Sequence, residues 1–497
     1  MRQSLLSDAR IIAIVIAAAS LVGLLLLSGC SSSGKKGDKP KRTVLATEYD
    51  DSRVGEQSSM AVAAQMGVLD DAALNAYVSE IGRKLLRGIP RRSFNYQFSV
   101  VDQIEPNAFA LPGGYVFISR GLLALANNED ELACVIGHEI THAAHRHAAL
   151  QQQMSKRISP LSMGWKRQAT LSAYGRDMER DADQGGQMLC AAAGYDPMGM
   201  STFLNNLGQW ERYRVGYTRN PSFFDTHPGS QERAAVNAIR ASELRWKRDP
   251  SIGDPREALL RHTEGIPVGE RPEAGLFVGD RFLHPDLDFT LQFPPGWPVS
   301  NSSQAVGASS PKGDAVVFLM ADMPAGEARV MADTWVEKTR EQQKIKVKES
   351  KPVKIGDIQA WRMRIDQSGR GGSITSFVTF IPYRGATWRI TGASPARLAK
   401  SYLGRTLATA RSFRPLTEDE RHSLYSTHMH VVQARRGEDL PSLGERTGNA
   451  WNTTSTAIHN GVFTDHRYEG GESVKVAISE PYLPKEAPAP EAEATSP

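Results

Sequence analysis

The spacing of apolar residues changes along the 497-residue chain, and the changes divide it. From Val44 to about Arg261 the period is mostly helical. One strand-like stretch, Phe109 to Ser119, interrupts it: beyond a bend at Gly113-Gly114, residues Tyr115, Phe117 and Ser119 alternate with Val116 and Ile118. A helical pattern resumes at Leu122. Asn128, three residues before Glu131, predicts a capped helix that starts just before Leu132 and runs through His147 to about Gln153. Residues Asp249 to Asp286 read as loop-rich. From Leu287 to Phe413 a period of two takes over, at Phe289, Leu291 and Phe293, at Val316, Phe318 and Met320, at Trp361, Met363 and Ile365, and over Phe377 to Ile381 and Trp388 to Ile390. Helices are predicted at Ala328 to Gln343 and Pro395 to Ala410, so this part is an α+β unit, an antiparallel sheet packed by helices. Between His430 and Ile478 the order is strand, helix, an Asn460-Gly461 turn and a last strand after Gly470-Gly471-Glu472. The polar run 447–456 gives little support for a second helix there. From Glu480 onward Pro, Glu and Ala predict a disordered tail.

The first residues change the picture from a purely soluble chain. Arg2 and Arg10 precede an apolar run, Ile11 to Leu27, that ends in Leu27-Ser28-Gly29-Cys30. About 17 apolar residues sit near the lower limit for a membrane span, but a spanning helix has no need of a cysteine after Leu-Ser-Gly. The segment resembles a bacterial lipoprotein signal, which implies cleavage before Cys30 and lipid on its sulfur. Several acyl chains give stable anchoring where one is marginal. Ser31 to Arg42 offers no apolar side chain to a core and reads as a tether. Ser31 in place of Asp favours the outer membrane by resemblance to sorting rules. With 23% charged residues and a formal net charge of +4, the chain has no nucleic-acid footprint. Cys134 and Cys190 either pair in an oxidising compartment or stay as buried thiols.

The chemistry centres on His138-Glu139-Ile140-Thr141-His142. Two histidines at i and i+4 share one helix face and can reach one metal, with Glu139 beside them to take a proton from water. Hydrolytic zinc needs a third protein donor and an open position. A histidine shortly after the motif is not placed as in metzincins, whereas Glu179 and Asp183 lie at i and i+4 on a later helix. Glu179 can bind zinc while Asp183 accepts the outer N–H of a ligand histidine. His145 and His147 read as structural or exposed, since three donors already complete one site.

These residues, with Asn107-Ala108-Phe109-Ala110, Pro112-Gly113-Gly114, Thr226-His227-Pro228 and Arg233, resemble the CAAX-prenyl-protease-type zinc metallopeptidases in their periplasmic BepA-like branch. The resemblance implies one zinc per chain on His138, His142 and Glu179, with Glu139 as base and Asp183 behind the ligands. It implies an edge strand from Gly113 to Ser119, through Gly114, Tyr115 and Val116, on which an extended peptide lies. It also implies active-site roles for His227, as a latch over the zinc or an aid to catalysis, and for Arg233 at the oxyanion. Phe293-Pro294-Pro295-Gly296-Trp297 resembles the start of PsbP-like domains, and Arg436 to Leu440 with Gly470 to Val476 resembles a LysM module, which implies binding to peptidoglycan.

The chain is therefore expected to be multidomain: a mainly α gluzincin metalloprotease domain with a small sheet, an α+β domain, and a small LysM-like α/β module. The expected divisions are a signal at 1–29, a tether at 30–43, the metallopeptidase at 44–265, a linker at 266–286, the α+β domain at 287–415, the LysM-like module at 430–480 and the tail at 481–497. The expected activity is a zinc metalloendopeptidase of envelope protein quality control, lipid-anchored on the periplasmic side and acting on unfolded or misassembled envelope proteins. The rival is a chaperone-like or peptidoglycan-binding scaffold with a latent zinc site.

Overall fold

The computed structural model describes residues 47–89, 94–151, 164–213, 223, 227, 230–302, 305–322, 326–369 and 372–484. Cys30, the signal, the tether, Thr226, Pro228 and most of the expected tail lie outside them. The described residues separate into two compact units, one built from 47–270 together with Ser426–Glu480, the other from Arg271–Tyr425 with 481–484. Among the described residues no helix is long and apolar enough to cross a membrane.

In the first unit, α1 (Glu48–Met66) begins at a reciprocal cap in which Thr47 and Asp50 satisfy each other's backbone N–H. Helix α2 (Ala72–Leu85) buries Leu74, Tyr77, Val78, Ile81 and Leu85, the stripe a 3.6-residue period presents to a core. Strands β1 (Gln97–Val101), β2 (Ala108–Leu111) and β3 (Tyr115–Ser119) form a sheet of order β1-β3-β2. Gly113 and Gly114 turn β2 into β3 at φ 86 and 90, and a Cβ on Gly113 would meet Ser52 Cα at 2.8 Å, so the bend needs glycine twice over.

The expectation of an edge strand at Gly113 to Ser119 is corrected here. Tyr115 and Val116 belong to the central strand, paired in parallel with β1 on one side and antiparallel with β2 on the other, so their backbone is already used. The edge strands are β1 and β2.

After α3 (Arg120–Leu125) comes α4 (Glu129–Ala144), which starts where Asn128 accepts from Glu131 N–H. It ends well before Gln153. His145 is the C-cap and Arg146 takes φ 53, its guanidinium held by Asp51, before residues 147–151 are helical again. Helices α5 (Gly164–Ala192), α6 (Gly199–Tyr213), α7 (Ser230–Glu243) and α8 (Pro255–Thr263) complete the helical part.

The second unit differs from its predicted pattern at its start. The stretch expected to be loop-rich contains α8 in the first unit and, in the second, β4 (Leu276–Val278) and β5 (Arg281–His284), which pair with β6 (Phe289–Gln292). The short strands β7 (Val299–Asn301), β8 (Val306–Ser309) and β9 (Val316–Asp322) lead to α9 (Ala328–Gln342). The long β10 (Ile345–Ile355), β11 (Ile358–Gly369), β12 (Gly372–Tyr383) and β13 (Ala386–Pro395) follow, then α10 (Ala399–Arg411) and α11 (Glu418–His422). One seven-stranded sheet runs β10-β11-β12-β13-β9-β8-β7. β10 reads Ile-Lys-Val-Lys-Glu-Ser-Lys-Pro-Val-Lys-Ile, mostly exposed at the sheet edge, where lysines and a proline are tolerated and block further pairing.

Ser426–Glu480 carries β14 (Tyr425–Gln433), α12 (Leu440–Thr447), α13 (Thr453–Asn460) and β15 (Ser473–Pro481), with β14 beside β15. Sequence reasoning missed α13. Asn452 caps it, and Asn460-Gly461 is its left-handed end, at φ 66, rather than a hairpin turn.

This segment meets the end of α3 through a buried lysine, its amine pKa pushed well below the ordinary range by burial and the nearby Arg256. Lys475 is wholly buried, and its Nζ donates to Ala124 O and Ala126 O at 2.8 Å each, the carbonyls a helix C-terminus leaves unpaired. Asn460 accepts from Lys475 N at 2.8 Å and from Arg256 Nη2 at 3.1 Å. Replacing Lys475 by Met should cost about 1–3 kcal/mol through the two orphaned carbonyls, read as a lower urea midpoint for the unit that contains α3.

Candidate metal centre

α4 and α5 cross at glycines. A Cβ on Gly186 would lie 2.7 Å from His138 N and 3.1 Å from Gly137 C, and one on Gly137 would lie 3.0 Å from Gly186 O, so the backbones approach as only glycine allows. Each helix turns an i, i+4 pair toward the crossing, His138 and His142 from α4 and Glu179 and Asp183 from α5.

Four side chains meet there. His138 Nε2 is 2.9 Å from His142 Nε2 and 3.3 Å from His227 Nδ1. Glu179 places Oε2 3.5 Å from His138 Nε2 and Oε1 3.5 Å from His142 Nε2. His227 Nδ1 is 3.0 Å from Glu179 Oε2, and its ring stacks on Phe223 with centroids 4.3 Å apart. One donor atom from each of His138, His142, Glu179 and His227 lies within 4.8 Å of every other.

Behind this set, His138 Nδ1 lies 3.0 Å from Asp183 Oδ1. Arg233, from α7, donates Nε to Asp183 Oδ2 at 2.8 Å, Nη2 to Asp183 Oδ1 at 2.6 Å and Nη1 to the His227 carbonyl at 3.1 Å, and Nη1 is also 2.9 Å from Glu179 Oε2. Asn237, one turn further on α7, donates to Asp183 Oδ2 at 3.0 Å. Glu139 is buried beside the set, its Oε1 3.5 Å from His227 Nε2, and the Ala110 N–H of β2 donates to its carboxylate.

The electrostatics follow from burial. Burial raises Glu139 above the ordinary carboxylate range, against the pull of His227 and His138. Burial would raise Glu179 and Asp183 too, but hydrogen bonds from His138 and His227 hold Glu179 low, and those from Arg233 and His138 hold Asp183 low. Burial works to lower His138, yet Asp183 and Glu179 push it up to about 9. Burial and the neighbouring histidines lower His142.

These residues fit a divalent metal. Two imidazole nitrogens 2.9 Å apart need a proton or a cation between them. Glu139, Glu179 and Asp183 are all buried, the last two held low by hydrogen bonds from Arg233 and the imidazoles, and a dication on the Nε2 atoms of His138 and His142 would take over the positive charge that those imidazoles supply. Imidazole and carboxylate are donors that zinc accepts.

The structure brings together His138, Glu139, His142, Glu179, Asp183, His227 and Arg233, and leaves Tyr115 and Val116 in the central strand. Sequence reasoning missed Asn237 and Phe223, for which no motif speaks; His147, expected to be structural or exposed, is buried with Nδ1 2.9 Å from His142 Nδ1. Cys134 and Cys190 are free, buried thiols, and burial next to Cys134 pushes Cys190 up.

Residues 72–166 and 161–241 match the Peptidase family M48 model. Every residue of the site falls within them. The chain is 28% identical over 203 residues to the beta-barrel assembly-enhancing protease of Escherichia coli K12, covering 36% of this chain and 41% of that one. It is 29% identical over 200 residues to the putative beta-barrel assembly-enhancing protease of Vibrio cholerae, covering 35% and 41%. It is 29% identical over 192 residues to mitochondrial metalloendopeptidase OMA1 of Schizosaccharomyces pombe, covering 35% and 55%. The chain thus spans about two fifths of the length of the first of these relatives. A solved cyanobacterial PsbP from Synechocystis aligns with 30% of this chain and 99% of its own at 10% identity and a TM-score of 0.25, which leaves the PsbP-like resemblance an expectation.

Gly186→Ala should force α4 away from α5 and cost about 1–3 kcal/mol, measured as a lower thermal or urea midpoint. An unchanged midpoint would mean that the crossing is loose.

Proposed function

We propose that this protein is a zinc-dependent metalloendopeptidase, held by lipid on Cys30 at the periplasmic side of the outer membrane, that cleaves unfolded or misassembled envelope proteins. The observation that carries the reading is the convergence of His138, His142 and Glu179 on one point with the buried carboxylate of Glu139 beside it. A purely structural metal has no use for such a carboxylate. The names of the similar protease and metalloendopeptidase support the same reading.

His138 Nε2, His142 Nε2 and a Glu179 oxygen would hold the zinc, which when bound supplies Lewis-acid activation of water and carbonyl. Glu139 takes a proton from the attacking water at its carboxylate and returns it to the leaving amine, and the burial that raises its pKa suits it to hold that proton between the two steps. Asp183 orients His138 through Nδ1. Arg233 is a positioning residue here rather than an oxyanion donor, because its Nε, Nη1 and Nη2 are all engaged with Asp183, Glu179 and the His227 carbonyl. A substrate strand would add to β2, whose Ala110 bonds to Glu139 and which among the described residues pairs with β3 on one side alone.

One observation favours a latent form. His227 Nδ1 faces both Glu179 and His138, so its imidazole stands where a fourth donor would, and it closes the position that water needs. In this form the protein is a chaperone-like scaffold until His227 leaves. Residues 430–480 are proposed to bind peptidoglycan by their LysM-like order of elements, two helices between β14 and β15.

The test is zinc content together with cleavage of unfolded casein by the protein lacking residues 1–30. We expect about one zinc per chain, no cleavage by Glu139→Gln with its zinc retained, and equal or faster cleavage by His227→Ala. Zinc without cleavage, even in His227→Ala, would replace the protease reading by the scaffold.

A further inference from the structure

A second group of donors stands where α4 ends. His145, at the C-cap, His147, beyond the Arg146 kink, and Asp181, on α5, each offer an atom within 4.8 Å of the others. His145 Nδ1 is 2.5 Å and His147 Nε2 3.1 Å from the same carboxylate oxygen, Asp181 Oδ2. The side chains of His145 and Asp181 are 51% and 47% exposed while that of His147 is 8% exposed, so the group opens to solvent on one side and is anchored on the other. Two imidazoles and a carboxylate form a donor set for zinc and its neighbours among the divalent transition metals.

We propose that His145, His147 and Asp181 bind a second, weaker divalent transition-metal ion, and that its binding inhibits the first site. The inhibitory half rests on the reading above, in which His142 Nε2 holds the first zinc. The two sites share a proton. His147 Nδ1 lies 2.9 Å from His142 Nδ1, a separation that holds one hydrogen between two nitrogens. With His142 Nε2 on the first ion, His142 is neutral only with its proton on Nδ1, so it donates to His147 Nδ1. The proton of His147 then sits on Nε2 and points at Asp181. A second ion on His147 Nε2 displaces that hydrogen, and His147 stays neutral only if the hydrogen moves to Nδ1 through solvent. The two Nδ1 atoms would face each other with a hydrogen each, or His142 would surrender its own. Loading the second site therefore removes the hydrogen-bond partner that orients His142, and the cost of breaking that bond keeps the second ion the weaker of the two.

Equilibrium dialysis of the protein lacking residues 1–30 against rising zinc, with metal counted by emission spectroscopy and casein cleavage followed in parallel, tests this. The proposal expects a second zinc per chain at higher zinc concentration and a fall in cleavage of about tenfold or more as it fills. His145→Ala, on a half-exposed side chain outside the first donor set, should bind one zinc, cleave as the parent does and resist excess zinc. Asp181→Asn should also bind one zinc. Saturation of the parent at one zinc, or a second zinc retained in both variants, would overturn the second site. Two zinc ions with cleavage undiminished would overturn the coupling. Two ions, one of them lost in both variants, in a protein that never cleaves casein would uphold the second site and refute the protease reading instead.

Discussion

The close crossing of α4 over α5 is the constraint on which the rest of the structure depends. The i, i+4 pairs on the two helices meet only if the backbones approach closer than a Cβ permits, and Gly137 and Gly186 provide that approach next to His138 itself. The sheet serves the same geometry from the other side, because Ala110 of β2 fixes the Glu139 carboxylate against α4. A donor set assembled from two rigid helices needs little reorganisation to take up an ion.

Charge is the second constraint. Three buried carboxylates are tolerable only because Arg233 reaches two of them and because imidazoles surround the third. α7 thereby becomes part of the site without contributing a metal donor: it carries Arg233 and Asn237, both bonded to Asp183, which in turn faces His138. The orientation of a ligand is thus set two residues away from it, through contacts that fail together if α7 shifts.

The legible parts of the sequence were local ones. Asn128 announces the start of α4 because a side-chain cap is decided within four residues, and the i, i+4 spacings place His138 with His142 and Glu179 with Asp183 by helix geometry alone. What depends on partners distant in sequence was not legible. Tyr115 and Val116 alternate as any strand does, but their central position is decided by Gln97–Val101, which pairs in parallel from outside the hairpin. The early end of α4 depends on Asp51 holding Arg146 in a left-handed conformation. Helix α13 hid behind a polar surface, since of its eight residues only Ala457 and Ile458 bring apolar side chains to the core. The lysines of β10 masked a strand whose edge position requires them. The bonds of Arg233 to Asp183, Glu179 and the His227 carbonyl are likewise out of reach of the sequence, because their partners lie on other elements.

The central claim is that the helix crossing holds one zinc between α4 and α5. Diffraction from zinc-loaded crystals, with data on either side of the zinc absorption edge, locates the ion directly. The account predicts a strong anomalous peak about 2.0–2.2 Å from His138 Nε2, His142 Nε2 and a Glu179 oxygen, with Glu139 uncoordinated beside it. A principal peak elsewhere, or one bound by Glu139 in place of Glu179, would contradict it.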